Sequence, residues 1–176
     1  MSKNIEPIND KGQRHGYWEY YHPNGQLMYK GNYYDGKRHG YFESFYSDGK
    51  LKYKGNYVNG YQDGYSEDYY DNGKLDSKGH YVNGKRHGYF EYYSNGQLWH
   101  KGNYVNGDRH GLWEDYYRNS DQLNFKGNFF IGARHGLWES YYSDGDLEYK
   151  GYYDMNIQVG YEVQIDSSPK EMFPIY

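Results

Sequence analysis

Five histidines of this chain share one setting: His15, His39, His87, His110 and His135 each follow an arginine and precede a glycine. Such a column invites a metal site. Metal ligands, however, must converge to about 2.0–2.1 Å from one ion, and two strands of sheet per repeat hold equivalent residues about 9.5 Å apart. The column is therefore read as a structural feature of the turns between hairpins. His22, His80 and His100 fall outside it and are read as surface residues. A second column, Glu19, Glu43, Glu67 and Glu139, offers carboxylates for acid–base work. The same spacing argues against paired action, and each of these Glu residues has a lysine expected opposite it. Glycine-bearing dipeptides are frequent, but none opens a helix as a phosphate loop does. Ser, Asp and His are scattered without a nucleophile elbow. With no cysteine in the chain, thiolate metal sites and cysteine nucleophiles are excluded. No catalytic, cofactor or metal residue is assigned, and the chain reads as a non-enzyme.

The elements that would position these columns come from a repeat. Arg-His-Gly recurs at 14–16, 38–40, 86–88, 109–111 and 134–136, with Gln62-Asp63-Gly64 and Gln158-Val159-Gly160 in the same slot. Lys-Gly recurs at 30–31, 54–55, 78–79, 101–102, 126–127 and 150–151. Two independent markers on a period of about 24 residues define six units: 17–40, 41–64, 65–88, 89–111, 112–136 and 137–160. Each unit reads strand, turn, strand, turn. Asn24-Gly25, Asp48-Gly49, Asn72-Gly73, Asn95-Gly96 and Asp144-Gly145 mark the first turn. Asp35-Gly36, Asn59-Gly60, Asn83-Gly84 and Asn106-Gly107 mark the second. Asn-Gly and Asp-Gly suit the type I′ turn, which needs positive φ at both central residues. No segment has a sustained helical period. The fold class is all-β: an open, single-layer, elongated and twisted solenoid of about six tandem hairpins.

A two-residue loop at Asn24-Gly25 sets Glu19 opposite Lys30. The equivalent loops set Glu43 opposite Lys54, Glu67 opposite Lys78 and Glu139 opposite Lys150. The same register places Trp18 over Gly31, Phe42 over Gly55 and Trp138 over Gly151, aromatic rings supporting strand glycines. Unit four is one residue short, which predicts a bulge near Glu91 and Lys101; unit five gains a residue in Arg118-Asn119-Ser120-Asp121. Alternation sorts two faces. Trp18, Tyr20, Leu27, Tyr29, Tyr33, Phe42, Tyr46, Leu51, Tyr53 and Tyr57 form the packed one. The other carries the Glu–Lys pairs among aromatics and is the candidate partner-binding face: Tyr17, Tyr21, Tyr41, Phe45, Tyr65, Tyr69, Tyr89, Tyr116 and Tyr141.

The chain holds 28 Tyr and 24 Gly in 176 residues, and aromatics make up 22% of it. Too aromatic for a disordered chain, it is also short of aliphatic material, so tyrosine must supply the apolar area. Net charge is −4 with both signs interspersed, which leaves no broad footprint for nucleic acid and little attraction to anionic lipid. There is no apolar run of membrane-spanning length and no leader-like N-terminus; a cytoplasmic location is expected. Residues 1–10 read as a flexible N-terminal segment, 11–160 as the repeat array, and 161–176 as a C-terminal cap or a tail that docks a partner.

The unit pattern Tyr-Tyr-x-Asn-Gly-x-Leu-x-x-Lys-Gly-x-Tyr-x-Asn-Gly-x-x-His-Gly-x-Trp resembles the bacterial variant of the MORN repeat, in particular the YwqK-type antitoxin family. The resemblance covers residues 16–160. It implies an elongated sheet of hairpins and a non-enzymatic binding protein that in some members neutralises a toxin. The expected partner is thus a protein, such as a cognate toxin. The alternative is a structural scaffold that self-associates or docks partners, with membrane-lipid association less favoured. Units carrying Gln62-Asp63-Gly64 and Gln158-Val159-Gly160 depart from the pattern.

Overall fold

The computed structural model describes residues 4–118 and 120–164, and for 161–164 the backbone alone. Among the described residues, thirteen antiparallel strands form one sheet in chain order: β1 (Gly16–Tyr21), β2 (Leu27–Tyr34), β3 (Lys37–Phe45), β4 (Leu51–Val58), β5 (Tyr61–Tyr69), β6 (Leu75–Val82), β7 (Lys85–Ser94), β8 (Gln97–Val105), β9 (Asp108–Tyr116), β10 (Leu123–Phe130), β11 (Ala133–Tyr141), β12 (Leu147–Asp154) and β13 (Ile157–Gln164). The sheet is open, as the six hairpins predict, and β13 adds a strand beyond them. At the other edge, the segment read as flexible is hydrogen-bonded from Ile5 onward: the Ile5 and Glu19 backbones exchange bonds of 2.9 and 3.0 Å, and the Trp18 Nε1–H donates to Pro7 O at 2.8 Å. The cap expected over 161–176 lies outside the described residues beyond Gln164.

The predicted register holds at all four charge pairs, Glu19–Lys30, Glu43–Lys54, Glu67–Lys78 and Glu139–Lys150, although the turn that was to set it differs. In the first turn only the glycine has positive φ (85° at Gly25), so Asn24-Gly25 is not a type I′ turn. The His22 N–H bonds Gln26 O, and the Gly25 N–H bonds His22 O, which leaves a three-residue loop closed by a left-handed glycine. Asn24 Oδ1 accepts from the Gln26 N–H at 3.1 Å, the Asx bond that favours Asn or Asp here. A bulge one step further in then shifts the pairing between Tyr20 and Tyr21. Loop and bulge offset each other, and Glu19 still meets Lys30. Unit four has the two-residue type I′ loop at Asn95-Gly96 (φ 53° and 88°), yet the same bulge sets Glu91 against Lys101 directly, so that pair is in step after all. Bulges also correct the face assignment of Leu27 and Leu51. Paired with Tyr21 and Phe45, they stand on the charged face and not on the packed one.

A one-layer sheet has no second sheet or helix to bury its apolar face, so the rings on that face cover each other and the backbone. Trp18, Phe42, Phe90, Trp113 and Trp138 are buried, Trp113 with 1% of its surface exposed. The expected ring-over-glycine contact is present but one strand displaced. Phe42 lies on Gly31 rather than Gly55, Phe90 on Gly79, Trp113 on Gly102 and Trp138 on Gly127 rather than Gly151. Each ring reaches back to the preceding hairpin, so the contact joins units instead of bracing one. Edge-to-face neighbours complete the cover, Tyr104 on Trp113 at 5.0 Å and Phe129 on Trp138 at 5.0 Å.

Unit three breaks the row. Ser66 (3% exposed) takes the ring position, and the Tyr53 hydroxyl leans over Gly55 instead, held by Gln62 Nε2 at 3.2 Å. The buried rings consequently form one cluster around Trp18, Tyr33, Phe42, Tyr53 and Tyr57, and another around Phe90, Tyr104 and Trp113. Because repeat arrays are stabilised by nearest-neighbour contacts, amide hydrogen exchange should show weaker protection at the β4–β5 border than at the other interior borders between hairpins; equal protection at all of them would contradict this account. Gly102→Ala should lower unfolding stability by about 1–3 kcal/mol, because the new methyl group collides with the Trp113 ring. A chemical denaturation curve unchanged by that substitution would refute the packing described.

Candidate interaction face

Six glutamates and six lysines alternate in one row across β1 to β12: Glu19, Lys30, Glu43, Lys54, Glu67, Lys78, Glu91, Lys101, Glu114, Lys126, Glu139 and Lys150. The close ion pairs do not form inside the hairpins as the register alone suggests. They bridge consecutive units: Lys30–Glu43 at 2.8 Å, Lys54–Glu67 at 2.7 Å, Lys78–Glu91 at 2.6 Å, Lys101–Glu114 at 2.8 Å and Lys126–Glu139 at 2.8 Å. Glu139 also has Lys150 at 3.8 Å. The reason is lateral. Each lysine also sits over the aromatic ring two residues beyond that glutamate, Lys78 over Tyr93 at 5.7 Å and Lys101 over Tyr116 at 5.4 Å, as Lys54 does over Tyr69. The hydroxyls of Tyr69, Tyr93, Tyr116 and Tyr141 bond in turn to Glu67, Glu91, Glu114 and Glu139.

These contacts set the titration of the row. The bond from Lys101 is the main cause holding Glu114 below the usual carboxylate value, and Lys126 does the same for Glu139. At Glu43, Glu67 and Glu91 burial is the largest influence and pushes upward, but the bonds from lysine and tyrosine outweigh it and the net direction is down. Lys54, Lys78 and Lys101 are raised, chiefly by their bonded glutamates.

The candidate residues fall into two rows flanking the charges. Tyr17, Tyr41, Tyr65 and Tyr89 form the open one, Tyr41 48% and Tyr65 41% exposed. Tyr21, Phe45, Tyr69, Tyr116 and Tyr141 form the other and are half-buried. Tyr93, Glu114 and Lys126 belong to the same rows and were not singled out from the sequence, whereas Glu91 and Lys101 were expected one step off. The rule that an aromatic stands two residues after each ladder glutamate would have found Tyr93. Leu112 and Leu137 end the open tyrosine row. Between consecutive units the face dips into small hollows. One of about 220 Å³ lies among Tyr41, Lys54, Asn56, Tyr65 and Glu67, and an equivalent one of about 240 Å³ among Tyr89, Lys101, Asn103, Leu112 and Glu114.

The packed face has its own cation row. Arg14, Arg38, Arg109 and Arg134 lie 4.3–4.9 Å over Trp18, Phe42, Trp113 and Trp138, the ring four residues ahead. Where the arginine is replaced by Gln62 the ring is replaced by Ser66, so the two go together as a stacking pair. His100 is not a surface residue: half-buried beside Tyr92 and Trp99, its imidazole is pushed down to about 4 by burial and by Arg109 and Arg86. Asp115, 3.8 Å away, is pushed up to about 6 by burial, so at neutral pH the two are not an ion pair. A cleft of about 410 Å³ opens on this face among Phe125, Phe129, Arg134, Trp138, Tyr149 and Tyr153. The histidine column brackets exposed rings at the second turn, His15 and His39 about Tyr34, His110 and His135 about Phe130.

An open array of like hairpins that carries one uninterrupted chemical row is the architecture of a repeat protein that works by binding. The model of the MORN repeat variant matches residues 14–34, 38–59, 62–83, 86–106 and 134–155, more than half of the chain, and the chain belongs to that non-enzymatic repeat family. Residues 107–133 are not matched, yet β9 and β10 within them keep the ladder in register. No curated protein matches the chain in sequence.

The ladder has a measurable pH signature. Its glutamates are lowered on folding, so their contribution is fully present above about pH 4.5, the ordinary glutamate value, and is lost as pH falls through the depressed values. Lys78→Met should cost about 0.2–1 kcal/mol at neutral pH. In a double-mutant cycle with Glu91→Gln the coupling should shrink as the solution is acidified; a coupling independent of pH would show that the pair is not ionic.

Proposed function

We propose that this chain is an antitoxin or immunity-type protein, which neutralises a toxin by covering part of its surface with the charge-laddered face. The carrying observation is the open tyrosine row, Tyr17, Tyr41, Tyr65 and Tyr89, standing half-exposed on a rigid strand framework beside hydrogen-bonded glutamates. Tyrosine offers large contact area and a polar hydroxyl with only two rotatable angles to order, and it is enriched among the residues that dominate binding energy. A sheet holds such a row in place before the partner arrives, so little ordering cost falls on association. The resemblance to antitoxin-type MORN variants supports the same reading.

The test uses the full chain, co-expressed with the product of a neighbouring gene that is toxic alone. The expected result is restored growth and capture of that protein. Tyr41→Ala/Tyr65→Ala/Tyr89→Ala should lose both while retaining its circular dichroism spectrum. Absence of any protein partner together with absence of rescue would overturn the proposal.

A further inference from the structure

Repeat spacing on the charged face suggests a particular ligand shape. Two strands advance the sheet by about 9.6 Å, at about 4.8 Å per strand. A polyproline II helix has three residues per turn at about 3.1 Å each, so it returns the same side to a surface every 9.3 Å or so. A chain laid across the strands in that conformation presents every third residue to successive units of the open tyrosine row.

The hollows are built to receive such residues. The one between β3 and β5 has Tyr41 and Tyr65 as walls, Gly55 as floor, and Asn56 and the Lys54–Glu67 pair at its ends. Its counterpart repeats the pattern with Tyr89, Gly102, Asn103 and the Lys101–Glu114 pair, Leu112 replacing the second ring. Rings on two sides of a gap grip a pyrrolidine ring, which is how aromatic-lined grooves take proline-rich segments. The side-chain amides of Asn56 and Asn103 make no hydrogen bond among the described residues. Polyproline II leaves its backbone carbonyls unbonded and outward, which suits those amides as donors.

Charge complementarity favours the same class of ligand. Each ladder glutamate from Glu43 to Glu139 is met by a lysine and by a tyrosine hydroxyl, so the row is internally neutral. Such a row suits an uncharged chain better than a strongly acidic or basic one.

We propose that the two hollows of this row, at Tyr41–Tyr65 and at Tyr89–Leu112, bind a proline-rich segment of a protein partner in the polyproline II conformation, with prolines at every third position. This rests on the reading of the charged face as the binding face and specifies what that face recognises. The two hollows stand two units apart, about 19 Å, which about six residues of polyproline II span; between them the His80 ring leans on Tyr65 at 5.2 Å.

Spacing is the test. A twelve-residue peptide with four prolines at every third position is compared by fluorescence anisotropy with a peptide of the same composition and prolines at every fourth. The first should bind at least tenfold more tightly. Tyr41→Ala and Tyr65→Ala should each weaken it at least fivefold, and Lys52→Ala, on the packed face, should leave it unchanged. Equal affinity of the two peptides, or binding indifferent to the tyrosines, overturns the proposal. If a captured protein partner still depends on Tyr41 and Tyr65, the functional reading survives that failure; if it does not, both fall. Tyrosine-dependent binding to phosphatidylcholine–phosphatidylserine vesicles, without spacing-dependent peptide binding, would overturn the proposal in favour of a lipid surface.

Discussion

Everything in this molecule follows from burying a backbone with a single layer. An isolated hairpin is marginal in water, and among the described residues no second sheet or helix covers its apolar face. The solution is the contact of a large ring with a strand glycine of the hairpin before it, as Trp113 lies on Gly102 and Trp138 on Gly127. Glycine is required because any side chain would occupy the space of the ring. The ring is in turn covered by an arginine four residues earlier, which keeps its charged end in water while its planar group shields the aromatic face.

The charged face obeys the same rule of joining neighbouring hairpins. The close Lys–Glu bonds run from one hairpin to the next, as the ring–glycine contacts do on the opposite side. Hydroxyls at the near edge add to this. Tyr46, Tyr70 and Tyr117 donate to the carbonyls of Tyr69, Tyr93 and Tyr141, one unit along. Both faces therefore stabilise borders rather than units, and cooperativity between neighbours is written into each side. A defect such as Ser66 consequently weakens a border and leaves the strands themselves paired.

Period, strand class and face alternation were legible because they depend on residues that recur: Arg-His-Gly, Lys-Gly and the aromatics between them. The Glu–Lys register was legible too, though by way of a turn that does not exist, since a three-residue loop and a bulge together give the pairing of a two-residue loop. Direction of contact was not legible. Lys30 is paired in register with both Glu19 and Glu43, and only the lean of its side chain toward Phe45 settles which one it touches. Leu27 was misplaced for a related reason, because a bulge reverses alternation without leaving a mark of its own in the sequence. Tyr93 was legible and overlooked: like Tyr69 and Tyr116, it stands five residues after the glycine of the repeat marker.

The turn edge carries a further lesson. Loops of two, three and four residues occur at the first turn, at 95–96, 23–25 and 118–121, yet every ladder glutamate stands three residues before the loop-closing pair and every lysine four after it. The bulge isolates the charged row from whatever lies at the tip. Loop length at this edge thus varies from unit to unit while the opposite end of each hairpin keeps a two-residue turn. The molecule has a tolerant margin and a strict one, and new peptide sequence could be grafted into the tolerant margin without disturbing the row of charges beside it.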